Sequence, residues 1–387
     1  MSGSGWGQVP SNSCECFLCS DSPASICLHY EAPEIETVTS LVLKCQLGVI
    51  CLWLDQYHNL APKEEKGEAA VLVKAVHLLD TYGSTKGLLL NPSKCQLFGP
   101  CDPTRFHCSI PHHLALNFDI LGAPIGDEDF CASFIKKRWL SACELLSLLP
   151  KLCDPQLSSG ILRQCVSFCK LAHLARCTPP TPAVLELFAN FDNDVLHCLE
   201  QCTEHQFSSM AIWQAQLSFR HGGFGLRFLF SHATAAYIAL ASISLSGAFP
   251  PTTEFNHLQT AIAMFNQQVT EGEALTTVSV LLSPPRQHLL SEKVEKLALS
   301  SLLHNATTKT KARLLAESVP QAHTWLRTVP SPGLGLALEP DETHILLKWW
   351  LGLPLCNLDE HAPYCSRQLD PLGHISLTCR HAGDVVT

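Results

Sequence analysis

Three residues near the C-terminus have the types and spacing of metal ligands. Cys365, His374 and Cys379 are spaced C-x8-H-x4-C in a segment rich in turn-forming residues. Thiolate and imidazole are the ligands that structural zinc prefers, and a closed tetrahedral site needs four of them. The fourth ligand is open among three nearby residues: Cys356, His361 and His381. The pattern predicts either a zinc site or an exposed tail without metal.

A second cysteine group lies in the first 38 residues. Cys16 and Cys19 have C-x-x-C spacing, but no second pair follows at the distance found in zinc fingers. Serine, glycine and proline are frequent here and no hydrophobic period is present, so we predict an unstructured leader over residues 1–38.

A lone carboxylate follows the first apolar segments. Leu41–Leu54 has the pattern of two short strands, and Asp55 and Gln56 come at the end of the second. Phosphoryl transfer by two metal ions needs several carboxylate oxygens, and the amide of Gln56 carries no charge. Aspartate is also a common turn residue, so a simple turn cap is the other interpretation of Asp55.

The elements around Asp55 predict a small sheet with one helix. Ala61–Tyr82 has apolar residues at helical spacing, and Lys94–Phe98 alternates as a half-buried strand does. Gly99 and Pro100 end that strand, and Phe106–Ile110 is expected to return beside it.

Beyond Gly126 the apolar spacing becomes helical, and three helices are predicted. The first is stopped by Pro150 and carries Phe130, Phe134, Trp139, Cys143, Leu146 and Leu149. The second begins with Asp154 as N-cap and Pro155 in its first turn, and presents Leu157, Ile161, Cys165, Phe168 and Ala172. Pro179 and Pro180 close the second. The third presents Leu185, Phe188, Phe191, Val195 and Leu199.

A glycine-rich segment, His221–Arg227, reads H-G-G-F-G-L-R. It lacks the spacing and the lysine of a phosphate-binding loop, so we predict a turn that lets Phe224 and Leu226 approach the core. An alanine-rich helix comes next. Residues 250–340 contain further helices separated by prolines, whose leucine stripe is interpreted as core rather than as a partner surface.

Composition and charge limit the classes of function that this chain can have. The chain has 387 residues, 46% hydrophobic and 16% charged, with a net charge of −9. A globular fold is expected, and tight nonspecific binding to phosphates is disfavoured because that affinity comes from lysine and arginine. The twenty cysteines are scattered, and most are expected to be buried free thiols. No signal peptide or membrane span is predicted, so we expect an intracellular protein.

The order of these motifs resembles the C-terminal part of a non-LTR (LINE-type) retrotransposon reverse transcriptase. The segment after that family's catalytic loop is matched by Gly87, Leu88, Asn91, Lys94 and the Leu121-Gly122 pair. The helices on either side of Asp154 and Pro155 are similar to the family's thumb. The string G-G-F-G-L-R is similar to the segment that follows the thumb in that family. The family's tail carries a C-x-x-C pair whose first cysteine is replaced here by Ala362.

The resemblance implies roles for individual residues. Asp55 falls at one metal-ligand position of the catalytic Y-x-D-D loop, where the ancestral enzyme binds Mg²⁺, and Gln56 replaces the second carboxylate. Lys94, Arg163 and Arg176 are expected to contact nucleic acid, although a solvated helix arginine is an alternative for the last two. A third carboxylate, on an earlier strand of those enzymes, has no recognisable copy.

These observations together predict an α+β protein. A small palm-like antiparallel sheet remnant over residues 39–128 precedes a thumb-like helical region (129–205), a helical connection region (206–340) and a Cys/His tail (341–387). The resemblance implies a degenerate, inactive RNA-directed DNA polymerase. Two alternatives stay open: a weak RNA or single-stranded DNA binding module with a zinc-like tail, and a helical protein-interaction scaffold. No motif indicates a small-molecule substrate.

Overall fold

The computed structural model describes residues 117–246, 255–356 and 367–373, with Thr81, Thr85, His361 and the backbone of four earlier strands. The chain divides into two compact units, residues 1–121 and 122–387. Strands make up most of the described part of the first unit, in which Thr81 and Thr85 are helical, and helices dominate the second. This segregation of strands and helices is the α+β class that the sequence predicts.

The first unit contains a four-stranded sheet. Its strands are β1 (Val38–Cys45), β2 (Gly48–Asp55), β3 (Gln96–Phe98) and β4 (His112–His113), in the order β2-β1-β3-β4. β1 pairs antiparallel with both β2 and β3, which confirms the two strands predicted in residues 41–54 and the strand predicted before Gly99. The predicted antiparallel sheet is confirmed for these pairs, but β3 and β4 run parallel. A connection of about a dozen residues, such as residues 99–111, is long enough for a parallel pair.

The chain turns between β5 (Phe118–Ile120) and β6 (Ala123–Ile125). Leu121 and Gly122 have φ of 49° and 80°, a left-handed conformation that glycine adopts freely and leucine rarely does. The predicted leucine-glycine turn is therefore confirmed.

Several predicted segments of the first unit lie outside the described residues. They are the leader (1–38), the segment from Gly87 to Lys94, and the returning segment Phe106–Ile110. Of the predicted helix Ala61–Tyr82 only Thr81 is described, and it is helical.

The second unit is built mainly from α-helices. Among its described residues they are α1 (Glu128–Leu146), α2 (Pro155–Ile161), α3 (Ala172–Cys177), α4 (Pro182–Thr203), α5 (Ser209–Gln216), α6 (Leu229–Ser246), α7 (Asn256–Asn266), α8 (Thr277–Leu282), α9 (Gln287–Asn305), α10 (Thr308–Glu317), α11 (Thr324–Arg327) and α12 (Pro340–Trp350).

The predicted stops and caps around residue 150 are confirmed. α1 ends at Leu146, and Pro150 lies in the 3₁₀ turn Leu149–Leu152 that comes after it. Asp154 caps α2 by accepting the backbone N–H of Leu157 at 2.9 Å, and Pro155 is the first helical residue. Proline is favourable there because its missing N–H would have had no helical partner.

The apolar face predicted for the second helix, which begins at Asp154, is wrong. The helix is interrupted after α2 by a π-helical turn (Leu162–Val166) and a 3₁₀ turn (Phe168–Lys170) before α3 begins. A π turn adds a residue to the helical repeat, so the buried face changes register. Leu157 and Cys165 are exposed, and the core residues of this stretch are instead Leu162, Val166, Leu171 and Leu174.

α4 and α6 form the centre of the larger core. The α4 face is as predicted, with Phe188, Phe191, Val195 and Leu199 buried. α6 is surrounded by α3, α4, α7, α8 and α9. Its alanines let these helices approach closely, and Ala233, Ala235, Ala236 and Ala239 are all buried. Among the described residues, α6 is the one helix long and apolar enough to cross a membrane, and half of it is buried within this fold.

Two further predictions have mixed outcomes. In the leucine stripe of α9, Leu290, Val294 and Leu302 are buried, but Leu289 is exposed.

The described cysteines are all free thiols: Cys131, Cys198 and Cys202 are buried as expected, whereas Cys153 and Cys165 are exposed.

The tail folds back after α12. Gly352, with φ of 65°, comes just after the end of that helix. The backbone N–H of Leu355 then donates to the carbonyl of Pro371 at 2.6 Å, and the Cys356 thiol donates to the carbonyl of Asp370 at 3.2 Å.

Candidate functional site

Asp55 is the last residue of β2 and lies opposite Val38 on β1. The structure thus places it at the end of a hairpin strand, as the sequence predicts. Gln56 and the Asp55 side chain lie outside the described atoms, so the vestigial metal-ligand role of Asp55 stays a prediction. An amide beside one carboxylate does not fit a two-magnesium site, because such a site needs several anionic oxygens.

The predicted zinc ligands are only partly described. Cys365, His374 and Cys379 lie outside the described residues, while His361 is exposed and bridges to Gln368 in antiparallel register. Among the residues that the structure describes, no group of three or more His, Cys, Asp and Glu side chains is arranged to hold a metal ion. Zinc binding stays a prediction.

Lys94 also lies outside the described residues, so the nucleic-acid candidates that can be placed are Arg163 and Arg176. Arg176 is half-buried in the last turn of α3, and its Nε is buried with no hydrogen-bond partner among the described residues. Its contact with nucleic acid stays a prediction.

Arg163 lies in the π turn, and its guanidinium is internal. The guanidinium carbon is 4.8 Å from the ring centroid of Phe224 and 5.2 Å from that of Phe219. Its Nη2 donates to the backbone carbonyl of Leu326. The interpretation as a solvated helix arginine is therefore wrong for Arg163. Its contact with nucleic acid stays a prediction.

The glycine-rich segment explains why Phe224 can lie beneath Arg163. A Cβ added to Gly223 would come within 2.0 Å of the Leu217 carbonyl oxygen, so only glycine fits there. Phe224 and Leu226 are both fully buried, which confirms the predicted turn.

The backbone of that segment is not free to bind phosphate. The N–H groups of Gly223, Gly225 and Leu226 donate to the carbonyls of Ser218, Leu217 and Ala215, at 3.1, 2.8 and 3.0 Å. A phosphate-binding loop presents such N–H groups to its ligand, and here protein carbonyls already occupy them.

A buried polar network holds this turn against two helices. Nε2 of Gln214 lies 2.7 to 2.9 Å from three acceptors, the carbonyls of Gly222 and Trp350 and the carboxylate of Glu317, which share its two hydrogens. Arg313 pairs with Glu317 at 2.9 Å and donates to the Gln214 side-chain oxygen at 2.8 Å. Burial raises the pKa of Glu317 to about 8, although Arg313 and Gln214 favour its charged form.

A second polar cluster joins the two ends of the same segment. Glu295 on α9 lies 3.5 Å from Nδ1 of His221 and 3.4 Å from Nε of Arg227. Burial opposes its ionisation, but hydrogen bonds from His221 and Ser218 and the charge of Arg227 lower the pKa of Glu295 to about 2. Ser218 and Glu295 both face Nδ1 of His221. A hydrolytic triad needs them on opposite ring nitrogens, so this cluster is structural.

Sequence reasoning did not identify Gln214, Glu295, Arg313 or Glu317 as central residues. Arg313 and Glu317 have the i,i+4 spacing of a helical ion pair, which is a local signal, but that spacing usually marks a solvated face. Only the tertiary fold shows that their side chains are 9% and 2% exposed.

No family model, no curated protein and no solved structure matches this chain.

Proposed function

We propose that this chain derives from the C-terminal part of a non-LTR retrotransposon reverse transcriptase and has lost polymerase activity. The observation that carries the proposal is the position of Asp55 at the end of the hairpin strand β2, followed directly by Gln56. In the resembling family this position begins a pair of adjacent carboxylates. Replacing one carboxylate by an amide removes the charge that holds the second of two metal ions.

The order of elements along the chain supports this ancestry. A β-hairpin, a further strand and a turn at Leu121-Gly122 precede the helices, in the family's order. We assign the strands to a palm remnant, residues 129–205 to a thumb-like region and residues 206–340 to a connection region.

Primer extension on an RNA template tests the loss of activity. The purified chain and its Gln56→Asp variant are incubated with primer, deoxynucleotides and Mg²⁺, beside an active reverse transcriptase as positive control. We expect no extension by either protein, because the carboxylate of the earlier strand is also missing. Magnesium-dependent extension by either one would refute the proposal.

A nucleic-acid binding module with a zinc-containing tail is a second candidate. The folding back of the tail supports it, because Cys356 is hydrogen-bonded to Asp370. Asp370 lies in the sequence between two of the predicted ligands, Cys365 and His374. RNA and single-stranded DNA binding is measured across a salt series, with zinc determined on the same sample. Salt-dependent binding that Arg176→Ala weakens, with about one zinc per chain, would support this candidate.

A protein-interaction scaffold is the third candidate. Five leucines in the stretch from α1 to α2 are exposed, and exposed apolar residues that form one patch typically mark a contact with another protein. They are Leu140, Leu145, Leu148, Leu152 and Leu157. This candidate predicts that neither RNA nor single-stranded DNA binds above background in the same salt series.

A further inference from the structure

The charge of Arg163 is not balanced by any carboxylate in the described part of the chain. None of the ion pairs there includes Arg163 or Arg327. Burial and the nearby charge of Arg327 lower the pKa of Arg163 to about 10, so it remains a cation at neutral pH. A cation taken out of water without a counter-ion is costly, because protein dipoles replace only part of its hydration.

Two buried nitrogens that belong to neighbours of the Phe219 ring lack hydrogen-bond partners among the described residues. Nη2 of Arg163 donates to Leu326, but Nη1 is buried and has no partner among the described residues. Nδ1 of His323 is also buried without a partner there, and its ring stacks on Phe219 with centroids 5.3 Å apart. Arg163 lies on the same Phe219 ring. Nearly all buried polar groups in folded proteins are paired, so the unpaired Nη1 of a cation without a counter-ion indicates a missing acceptor. Nδ1 of His323 is a second unpaired nitrogen, on a ring that contacts the same phenylalanine.

Arg313, a second enclosed arginine among the described residues, shows what a completed site looks like. Arg313 has the carboxylate of Glu317, the side-chain oxygen of Gln214 and the carbonyl of Trp350 as partners. Arg163 has one carbonyl and two aromatic rings. The two arginines lie in the same fold and differ in whether the chain itself supplies the anion.

We propose that Arg163, His323 and Arg327, here called the Arg163 site, bind a small oxyanion of the phosphate class. The anion would accept from Nη1 of Arg163 and, in the tautomer that carries its proton on Nδ1, from His323, and its charge would balance the two guanidinium groups. Two cations match a phosphate dianion better than chloride, and guanidinium binds phosphate oxygens through directed hydrogen bonds. Arg327 is exposed, so solvent reaches this end of the site. The proposal does not depend on the ancestry of the chain.

Binding of inorganic phosphate to the full chain tests the proposal. Calorimetric titration and thermal unfolding are measured at pH 7.5 over a phosphate series, with sodium chloride adjusted to constant ionic strength. We expect saturable binding and a midpoint of unfolding that rises with phosphate. Arg163→Met is expected to weaken binding at least tenfold. His323→Phe keeps the stacked ring and removes only the donor, so it should weaken binding several-fold.

Arg138 provides the matched control. It also lies on an aromatic ring, 5.6 Å from the centroid of Phe134, but it is exposed. Arg138→Met should leave phosphate binding unchanged. If Arg163→Met does not fold, Arg327→Gln decides the matter, because its exposed side chain contributes little to packing and its loss should still weaken binding several-fold.

The source of the phosphate is distinguished by a second titration. A short RNA with a 5′-phosphate is compared with the same RNA carrying a 5′-hydroxyl. Preference for the phosphorylated end, abolished by Arg163→Met, would mean that the site reads a terminal phosphate, whereas inorganic phosphate alone would mean a free anion. Absence of saturable phosphate binding, or an equal response in Arg163→Met and Arg138→Met, would overturn the proposal.

Discussion

The carboxylate of Asp192 accepts the backbone N–H of Leu229, the first residue of α6, at 2.8 Å. Its second oxygen accepts the N–H of Phe230 at 2.8 Å. A residue in the middle of α4 thus caps the central helix from outside, at the end where the helix dipole favours negative charge. Burial raises the pKa of Asp192 to about 7 against these two hydrogen bonds.

Replacement of this remote cap should destabilise the protein. Asp192→Asn keeps the shape but turns an NH₂ group towards one of the two N–H donors, so we expect a loss of about 2 kcal/mol in the free energy of unfolding. Urea denaturation at pH 8, where the carboxylate is ionised, measures it. Asp154→Asn is the control: asparagine caps a helix as well as aspartate does, and the change should stay within about 0.5 kcal/mol.

The buried imidazole of His232 should make stability depend on pH. Burial lowers the pKa of His232 to about 4, whereas an unfolded histidine has a pKa near 6.5. Between these values the unfolded chain binds the proton more readily, so stability falls as the pH is lowered from 6.5 to 4.

His232→Phe keeps an aromatic ring beside Phe168 and removes this titration. The wild type should lose about 3 kcal/mol relative to the variant between pH 7 and pH 4. Urea denaturation of both proteins over that range provides the comparison, and parallel stability curves would contradict the assignment. The difference in stability between the wild type and His232→Phe isolates the histidine. Asp192 and Glu317, whose pKa values are raised, change the stability of both proteins with pH in the opposite direction.

The pair Arg313 and Glu317 should be strongly coupled. At pH 9, where the Glu317 carboxylate is ionised, Arg313→Met leaves a buried charge without its cation, and we expect a loss of about 3–5 kcal/mol in the free energy of unfolding. Adding Glu317→Gln should recover part of that loss, because the remaining amide is neutral and can still bond to Gln214. A double-mutant cycle measures the coupling, and strictly additive effects would argue against it.

The close approach at Gly223 should be intolerant of any side chain. Gly223→Ala places a methyl group against the Leu217 carbonyl, and we expect a loss of about 3 kcal/mol or more, with Phe224 displaced from the core. Gly160→Ala is the contrast, since nothing lies within 4 Å of its added Cβ and it sits in α2. A gain of about 0.5–1 kcal/mol is expected there.

Local signals in the sequence predicted the features that depend on neighbours along the chain. The Asp154 cap and the Phe188 face of α4 depend on hydrogen bonding and helical periodicity within a few residues, so they could be predicted. The π turn at Arg163 could not, because its register is linked to packing on Phe219 and Phe224. The Gln214–Arg313 contact joins residues 99 positions apart. Neither residue carries a local sign of that contact.

The central position of α6 has a consequence during synthesis. α3 and α4 precede it in the chain, but α9, which covers another part of its surface, ends only at Asn305. At an elongation rate of about 5–20 residues per second, the roughly 60 residues from Ser246 to Asn305 take about 3–12 s to add. For that time a complete, alanine-rich apolar helix leaves the ribosome without part of its cover. Nascent-chain factors that recognise apolar helices would therefore encounter α6 before its own fold encloses it.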